Sequence, residues 1–480
     1  MLSKLGYGLA ALVVVALAMA CLAWTLLEPP ALPVPPRGVV VIKDVTLVNP
    51  GLGRAAHVDI TVRSGVITAI SPTTAATSRY DLRCGGCYAL PGLIDMNARM
   101  RAPKTFGLDR AVDLMMLRYG VTTVRDTGAV NAGIYTERDA IAAGRWPGPR
   151  VISCGPLLNG PLLRSRDGVI VRTAEAARQA VTAAAAAGVR CVSITWTLSP
   201  EVTRAIASEA ARARLPVVAH VPHGVSILDA PYIADVQGLS GVTLPTDFDA
   251  LPTDNGDSYW NDYACRDFDR LTEERLAAVV AAAVKQHTAH TPLLTLGYVG
   301  NPNERPEVCR DIATRRGQVV KALFRAGVPV YAGSGGPPGA APPGEALENE
   351  IRRFASLGLT PDQALATATT SPGRFWPDTT YGQIAIGLPA DIVLYRRDPS
   401  LALPNLSSRY AVISDGRIYF SIDLDAWVMR YRRHFASWQV RTSLGDPRRW
   451  FEADENRRWM GGSPELVAPI AERGPSSHRQ

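Results

Sequence analysis

From residue 93 to residue 379 the chain repeats one unit, a short apolar run followed by a helical pattern. The helix-like "AVDLMMLRY" leads into "GVTTVRDTG", and "PRVISCGPLL" comes next. The stretch from "TAEAARQAVTAAAAAGVRCVSITW" to "LPVVAHVPHG" reads as helix, strand, helix, strand. "EERLAAVVAAAVKQHTAHTPLLTLG" and "RRGQVVKALFRAGVPVYAGSGG" repeat the unit again. A strand that returns through a helix must pair in parallel with the next, so the alternation predicts parallel strands under a layer of helices. Five or more units in fewer than 290 residues predict a (β/α)8 barrel rather than an open sheet.

The flanks follow a different rhythm. "VVVIKDVTLVNP", "HVDITVRSGVITAIS" and "CYALPGLID" are branched, alternating runs punctuated by Gly and Asn-Pro, and predict a small β domain over 38–92. Strand signals return in "GQIAIGLPADIVLYRRD" and "YAVISDGRIYF", and residues 380–420 should complete that domain. Between them Thr360 and Pro361 mark a helix start. A net charge of +7 over 480 residues is mild. With no Lys/Arg stripe and no zinc-finger spacing, nucleic acid is not expected as a partner.

Leu5 to Leu27 is a run of 23 residues without a charge. At about 1.5 Å per residue it is long enough for the roughly 30 Å hydrocarbon core of a bilayer. Residues 1–27 are therefore read as a transmembrane anchor, although "AMA" before Cys21 also resembles a cleavage site. Lys4 is the only side-chain cation ahead of the run, which places the short end in the cytoplasm and the large domain on the extracytoplasmic, periplasmic side. Membrane lipid is thus one expected partner, and membrane proteins are others. The Pro-rich residues 28–37 should form a stiff spacer off the membrane. Cys84 and Cys87 are either a tight disulfide or two free thiols, and Cys154 and Cys191 read as small core residues.

The segment "PGLIDMNARM" resembles the first-strand motif of the amidohydrolase superfamily, in particular its prolidase- and imidazolonepropionase-like branch. "GVTTVRDTG", "SCGPLLNGP", "LPVVAH", "GVPVYAGS", "LTPDQALATATTSPGR" and "GQIAIGLPADIVLY" resemble later segments of that family in the right order, over residues 38–420. The resemblance implies a metal-dependent hydrolase barrel with a composite β-sandwich. It also implies a cage of four His, a carboxylated Lys and an Asp, holding zinc or another divalent ion that activates water.

Those positions carry other residues here. The first-strand His pair falls on Asn97 and Arg99, the bridging Lys on Ser193, one later His near Gly238, and the Asp on Gly335. Only His220 matches, as a relic ligand. No His lies between 57 and 220, no Lys between 104 and 285, and no Asp between 311 and 362, so no shift of alignment restores the set. No metal cofactor is expected. A new site from His223, His287 and His290 is a weaker alternative. Asn97, Arg99 and Arg125 could form an anion-binding mouth. Alternatively, Arg99 pairs with Asp126 or Glu348 and fills the place of the cage. Ser193, His220 and His223 complete the pocket candidates.

Residues 421–480 lie outside the resemblance and hold ten Arg and four of the nine Trp. Trp427, Tyr431, Phe435 and Trp438 share one helix face. That face either packs back on the barrel or meets a partner or a headgroup layer. The resulting expectation is a membrane-anchored, catalytically degenerate subunit. A hydrolase of carbon–nitrogen bonds with a rebuilt site and a small-molecule binder are the alternatives.

Overall fold

The structure is a computed structural model that describes residues 13–19, 25–98, 100, 107–129, 132–161, 168–243, 268, 271–295, 312–335, 341–376 and 381–437. The first strands are β1 (Val39–Asn49), β2 (Gly53–Arg63), β3 (Val66–Pro72), β4 (Asp81–Arg83) and β5 (Tyr88–Pro91). The barrel strands are β6 (Leu93–Ala98), β7 (Val121–Asp126), β8 (Arg150–Ser153), β9 (Leu158–Asn159), β10 (Val169–Ile170), β11 (Val192–Ile194), β12 (Val217–Ala219), β13 (Ile233–Gln237) and β14 (Ala289–Thr291). After them come β15 (Ile392–Tyr395), β16 (Arg409–Ser414) and β17 (Arg417–Phe420).

The helices are α1 (Leu108–Arg118), α2 (Gly133–Ala142), α3 (Ala174–Ala186), α4 (Pro200–Arg212), α5 (Glu273–Gln286), α6 (Ile312–Arg325), α7 (Glu345–Ser356), α8 (Pro361–Ala366) and α9 (Ser421–Phe435). Thr173, Ser199 and Thr272 cap α3, α4 and α5 with side-chain oxygens on backbone N–H groups. Thr360 and Gln363 form a reciprocal capping box at α8. Helix α8 then stops at Ala366, so the threonine-rich stretch after it packs as turns rather than as one long helix.

The two β segments join in one sheet of order β17-β16-β15-β5-β1-β2-β3, with β4 on β1. The joint is the antiparallel pairing of β15 with β5. The sheet curls until the Ile67 N–H donates to Leu388 O at 3.0 Å. Inside it lie Ile42, Ile60, Ile67, Ile392 and Ile413.

The barrel runs β6-β7-β8 on one side and β9-β11-β12-β13-β14 on the other, all parallel. The Arg190 N–H donates to Ser153 O at 2.9 Å and joins the two sheets. Residues 329–335 act as the last stave. There Tyr331 N–H donates to His290 O at 2.9 Å, and Met96 N–H donates to Ala332 O at 3.0 Å. Counting β6, β7, β8, β11, β12, β13, β14 and this stave, eight staves close the ring. The main core lies between staves and helices, and a smaller cluster with Ile94, Met96, Ile152, Tyr331 and Trp376 fills the inside.

Three expectations from the sequence need correction. Cys154 and Cys191 are joined in a disulfide that staples β8 to β11, so they are not independent core thiols. Cys84 pairs with Cys87. Residues 28–37 are not a free spacer: Leu32 is buried, Glu28 pairs with Arg110 at 2.9 Å, and Arg417 Nη1 donates to Pro35 O at 2.7 Å. The Pro-rich segment lies on the protein because its apolar residues and carbonyls find partners there. Third, Tyr431 and Phe435 are not partner anchors. With Leu424 and Val428 they form the buried stripe of α9, which packs on α1 and leaves them 1% and 0% exposed. Trp427 is half-buried beside Tyr419, and Trp438 lies outside the described residues.

Among the described residues no helix is long and apolar enough to cross a membrane. Of Leu5–Leu27, residues 13–19 and 25–27 are described, and both pieces are helical.

One buried carboxyl gives a pH prediction. Asp113 on α1 faces Glu137 on α2 and accepts a hydrogen bond from Trp146 Nε1 at 2.9 Å. Burial raises the Asp113 carboxyl well above the usual range, and the charges of Glu137 and Asp109 push it the same way. The folded state therefore holds a proton that the unfolded chain has released. Stability should fall as pH rises from the ordinary carboxylate range through the raised value. Asp113→Asn should lose less stability between pH 5 and pH 8 than the parent does in urea denaturation, the remainder coming from other buried carboxyls such as Asp95 and Asp235.

Candidate functional site

Two polar side chains on alternate positions of an otherwise apolar strand face one way. Asp235 and Gln237 do this on β13 and point into the barrel. Opposite them stands Arg125 of β7. Both Arg125 and Asp235 are 0% exposed, and Arg125 Nη2 donates to Asp235 Oδ2 across the barrel. Nε of the same guanidinium donates to Met96 O at 2.8 Å, and its plane lies 4.7 Å over the Phe375 ring. Asp235 Oδ2 also accepts from Thr291 Oγ1 at 2.7 Å and from Gln237 Nε2 at 2.6 Å.

The chain of bonds continues to the first stave, where Asn97 Nδ2 donates to Gln237 Oε1. The Asn97 backbone is pinned too: its N–H donates to Asp95 Oδ1 at 3.1 Å, and its carbonyl accepts from Gly335 N–H at 2.9 Å. Gly333 makes this closeness possible, because a Cβ there would lie 2.9 Å from Asn97 Cβ and 2.8 Å from Thr291 Cγ2. Burial raises the Asp235 carboxyl, against the pull of Arg125, Thr291 and Gln237. Burial also raises Asp95, against its bonds to Ser334 and Asn97.

The remaining candidates are spread out. Ser193 is buried on β11 and pairs in register with Val218. His220 follows β12, with its N–H on Ile194 O at 3.0 Å. His223 is buried edge-on to Trp196 at 5.3 Å, and burial lowers it to about 4. Gly238 and Gly335 both adopt positive φ, 65° and 84°. Arg99 lies outside the described residues.

Three sequence expectations change here. Arg125 is no anion-binding mouth, because its charge is turned inward onto Asp235. Glu348 is no partner for the mouth either, since Arg352 at 2.9 Å and Arg409 at 2.5 Å take its carboxylate. His287 and His290 do not converge on a metal. His287 ends α5 in a left-handed turn, whereas His290 pairs with Val236 and Val330 of the strand–helix core, where burial lowers it to about 4.

Structural comparison places this ring among known barrels. A putative prolidase from Bifidobacterium longum superposes with a TM-score of 0.64 at 21% identity, over 83% of this chain and all of that one (100%). A Xaa-Pro dipeptidase with bound methionine matches at 0.62 and 16% identity, covering 80% of this chain and 100% of the other. The chain has the amidohydrolase fold. A bottromycin amidohydrolase, at 0.61 and 22% identity over 83% and 91% of the two chains, has the same fold. No family model and no curated protein matches the sequence.

The amidohydrolase fold implies a divalent metal, and the residues present do not fit one. Asn97 turns its Nδ2 onto Gln237, Ser193 offers only a hydroxyl, and Gly238 and Gly335 offer no side chain. A permanent cation, Arg125, lies inside the same barrel. Among the described residues no group of three or more His, Cys, Asp or Glu could hold a metal ion. Sequence reasoning missed Asp235, Gln237 and Thr291. The signal for Asp235 and Gln237 was present in "IADVQ", two polar residues at i and i+2 in a strand, whereas Thr291 in "AHT" carried none.

Proposed function

We propose that this amidohydrolase-fold protein is a non-catalytic binding or structural subunit of a membrane-associated complex. The observation that carries the reading is the Arg125–Asp235 pair, extended through Gln237 to Asn97. It ties the first, second and sixth staves by ionic and hydrogen bonds where the fold implies metal ligands. The Cys154–Cys191 disulfide adds a covalent tie. Such a barrel keeps its shape without the chemistry, and what remains useful is its surface.

The protein is tethered by residues 5–27 with its large domain outside the cytoplasm. Two disulfides suit an oxidising compartment. The helical residues 13–19 expose Val13, Val14, Val15, Leu17 and Met19, which suits a lipid surrounding.

The test is metal titration of the purified full-length protein. Zinc, manganese and cobalt should leave the melting temperature unchanged and produce no hydrolysis of Xaa-Pro dipeptides. A specific site filled to 100 times its Kd would add about 2.7 kcal/mol. A rise of that size, or metal-dependent turnover abolished by chelator, would establish a rebuilt hydrolase instead. One observation favours the small-molecule binder as a second reading. Buried Arg125 Nη1 and Asp235 Oδ1 have no hydrogen-bond partner among the described residues, so a small polar molecule enclosed in the barrel would find one donor and one acceptor beside the ion pair. Stabilisation by amino acids or dipeptides, without turnover, would select it.

A further inference from the structure

The Pro-rich segment docks on the protein, and this fixes how the domain meets the membrane. We propose that the C-terminal end of α9 lies on the bilayer surface, where Arg430 and Arg433 take the phosphates of anionic lipid headgroups. The proposal rests on the anchoring of residues 5–27.

The apolar run ends at Leu27. As a helix, 23 residues span roughly 35 Å, a little more than the hydrocarbon core of about 30 Å, so the last residues of the run emerge at headgroup level. At that point the chain is already held by the domain. His434 Nε2 donates to Leu27 O at 3.1 Å, and Glu28 pairs with Arg110 of α1 at 2.9 Å. Leu27 packs against the main core. No free spacer separates span from domain, and the last turn of α9 sits one hydrogen bond from the end of the apolar run.

The charge along α9 is polarised. Its acids, Asp423 and Asp425, occupy the first half, and Asp425 is paired with Arg118 at 2.7 Å. Arg430, Arg432, Arg433 and His434 follow with no acid among them. The stripe Leu424, Val428, Tyr431 and Phe435 is buried on the domain and fixes the rotation of the helix. That rotation leaves Arg430, Arg433 and the 40%-exposed Met429 on the outer side. A short basic patch with one apolar side chain, held beside the exit of a span, is complementary to an anionic headgroup layer.

The test uses the full-length chain in bilayers of phosphatidylcholine alone and of phosphatidylcholine with phosphatidylglycerol. At 0.1 M salt, backbone amides of residues 429–435 should exchange hydrogen about five-fold or more slowly in the phosphatidylglycerol bilayer. The difference should vanish at about 1 M salt, where the screening length drops from roughly 10 Å to 3 Å. It should also vanish in an Arg430→Glu, Arg433→Glu variant whose residues 421–427 and barrel amides exchange as in the parent, which excludes simple unfolding. Equal exchange in both bilayers, with the chain retained after a carbonate wash, overturns the proposal alone. Protection that ignores lipid charge but disappears when a co-purifying protein is removed also overturns it, in favour of a protein partner. Release of the chain by carbonate overturns the anchoring reading and the proposal with it.

Discussion

Asp235→Ala should destabilise the protein by about 3–5 kcal/mol, the cost typical of removing one partner from a buried ion pair. The Arg125 guanidinium is 0% exposed and cannot shed its charge, so without Asp235 it becomes an uncompensated cation inside the barrel. Thr291 Oγ1 and Gln237 Nε2 lose their acceptor at the same time. The effect should not depend on chelator or added metal, because the tie is between side chains. Removing both charges in Arg125→Met, Asp235→Leu should restore most of the loss, since apolar pairs of similar volume often match a buried ion pair. Denaturant midpoints of the three proteins decide the matter. If Asp235→Ala is as stable as the parent, the network does not hold the staves together.

Phe435→Ala should cost about 3–5 kcal/mol, the usual penalty for emptying a buried phenylalanine site. Phe435 is 0% exposed and closes the stripe by which α9 packs on α1. Cutting the chain after residue 420 should do more. It uncovers that face of α1 and removes the His434 bond that fastens Leu27. The truncated protein should aggregate, with barrel amides losing protection from hydrogen exchange. A soluble truncated chain with an intact barrel would return the α9 stripe to the role of a partner surface. Trp427→Ala should cost less than Phe435→Ala, because Trp427 is only half-buried.

The barrel was legible because its signal is local. Each strand–helix unit writes its own periodicity, and the parallel crossover follows from it. Asn97, Ser193, Gly238 and Gly335 were legible as residue types at the positions where the resemblance implies ligands, and the loss of the metal stays part of the proposal. The tail was half legible. A spacing of three and four marks a helix face, but the same face serves a partner or the chain's own core. The Arg99 pairing expected from sequence lies outside the described residues, and the two acids proposed for it have other bonds.

What the sequence determined by itself is therefore the order of elements and the closed β/α ring. Tertiary structure alone decided which side chains meet inside that ring. Arg125 meets Asp235 across 110 residues, Cys154 meets Cys191 across 37, and Leu27 meets His434 across 407. Such meetings depend on the stagger of staves around the barrel and on which surface receives each end of the chain. A strand's alternation says that Asp235 points inward, but only closure of the ring puts a guanidinium opposite it.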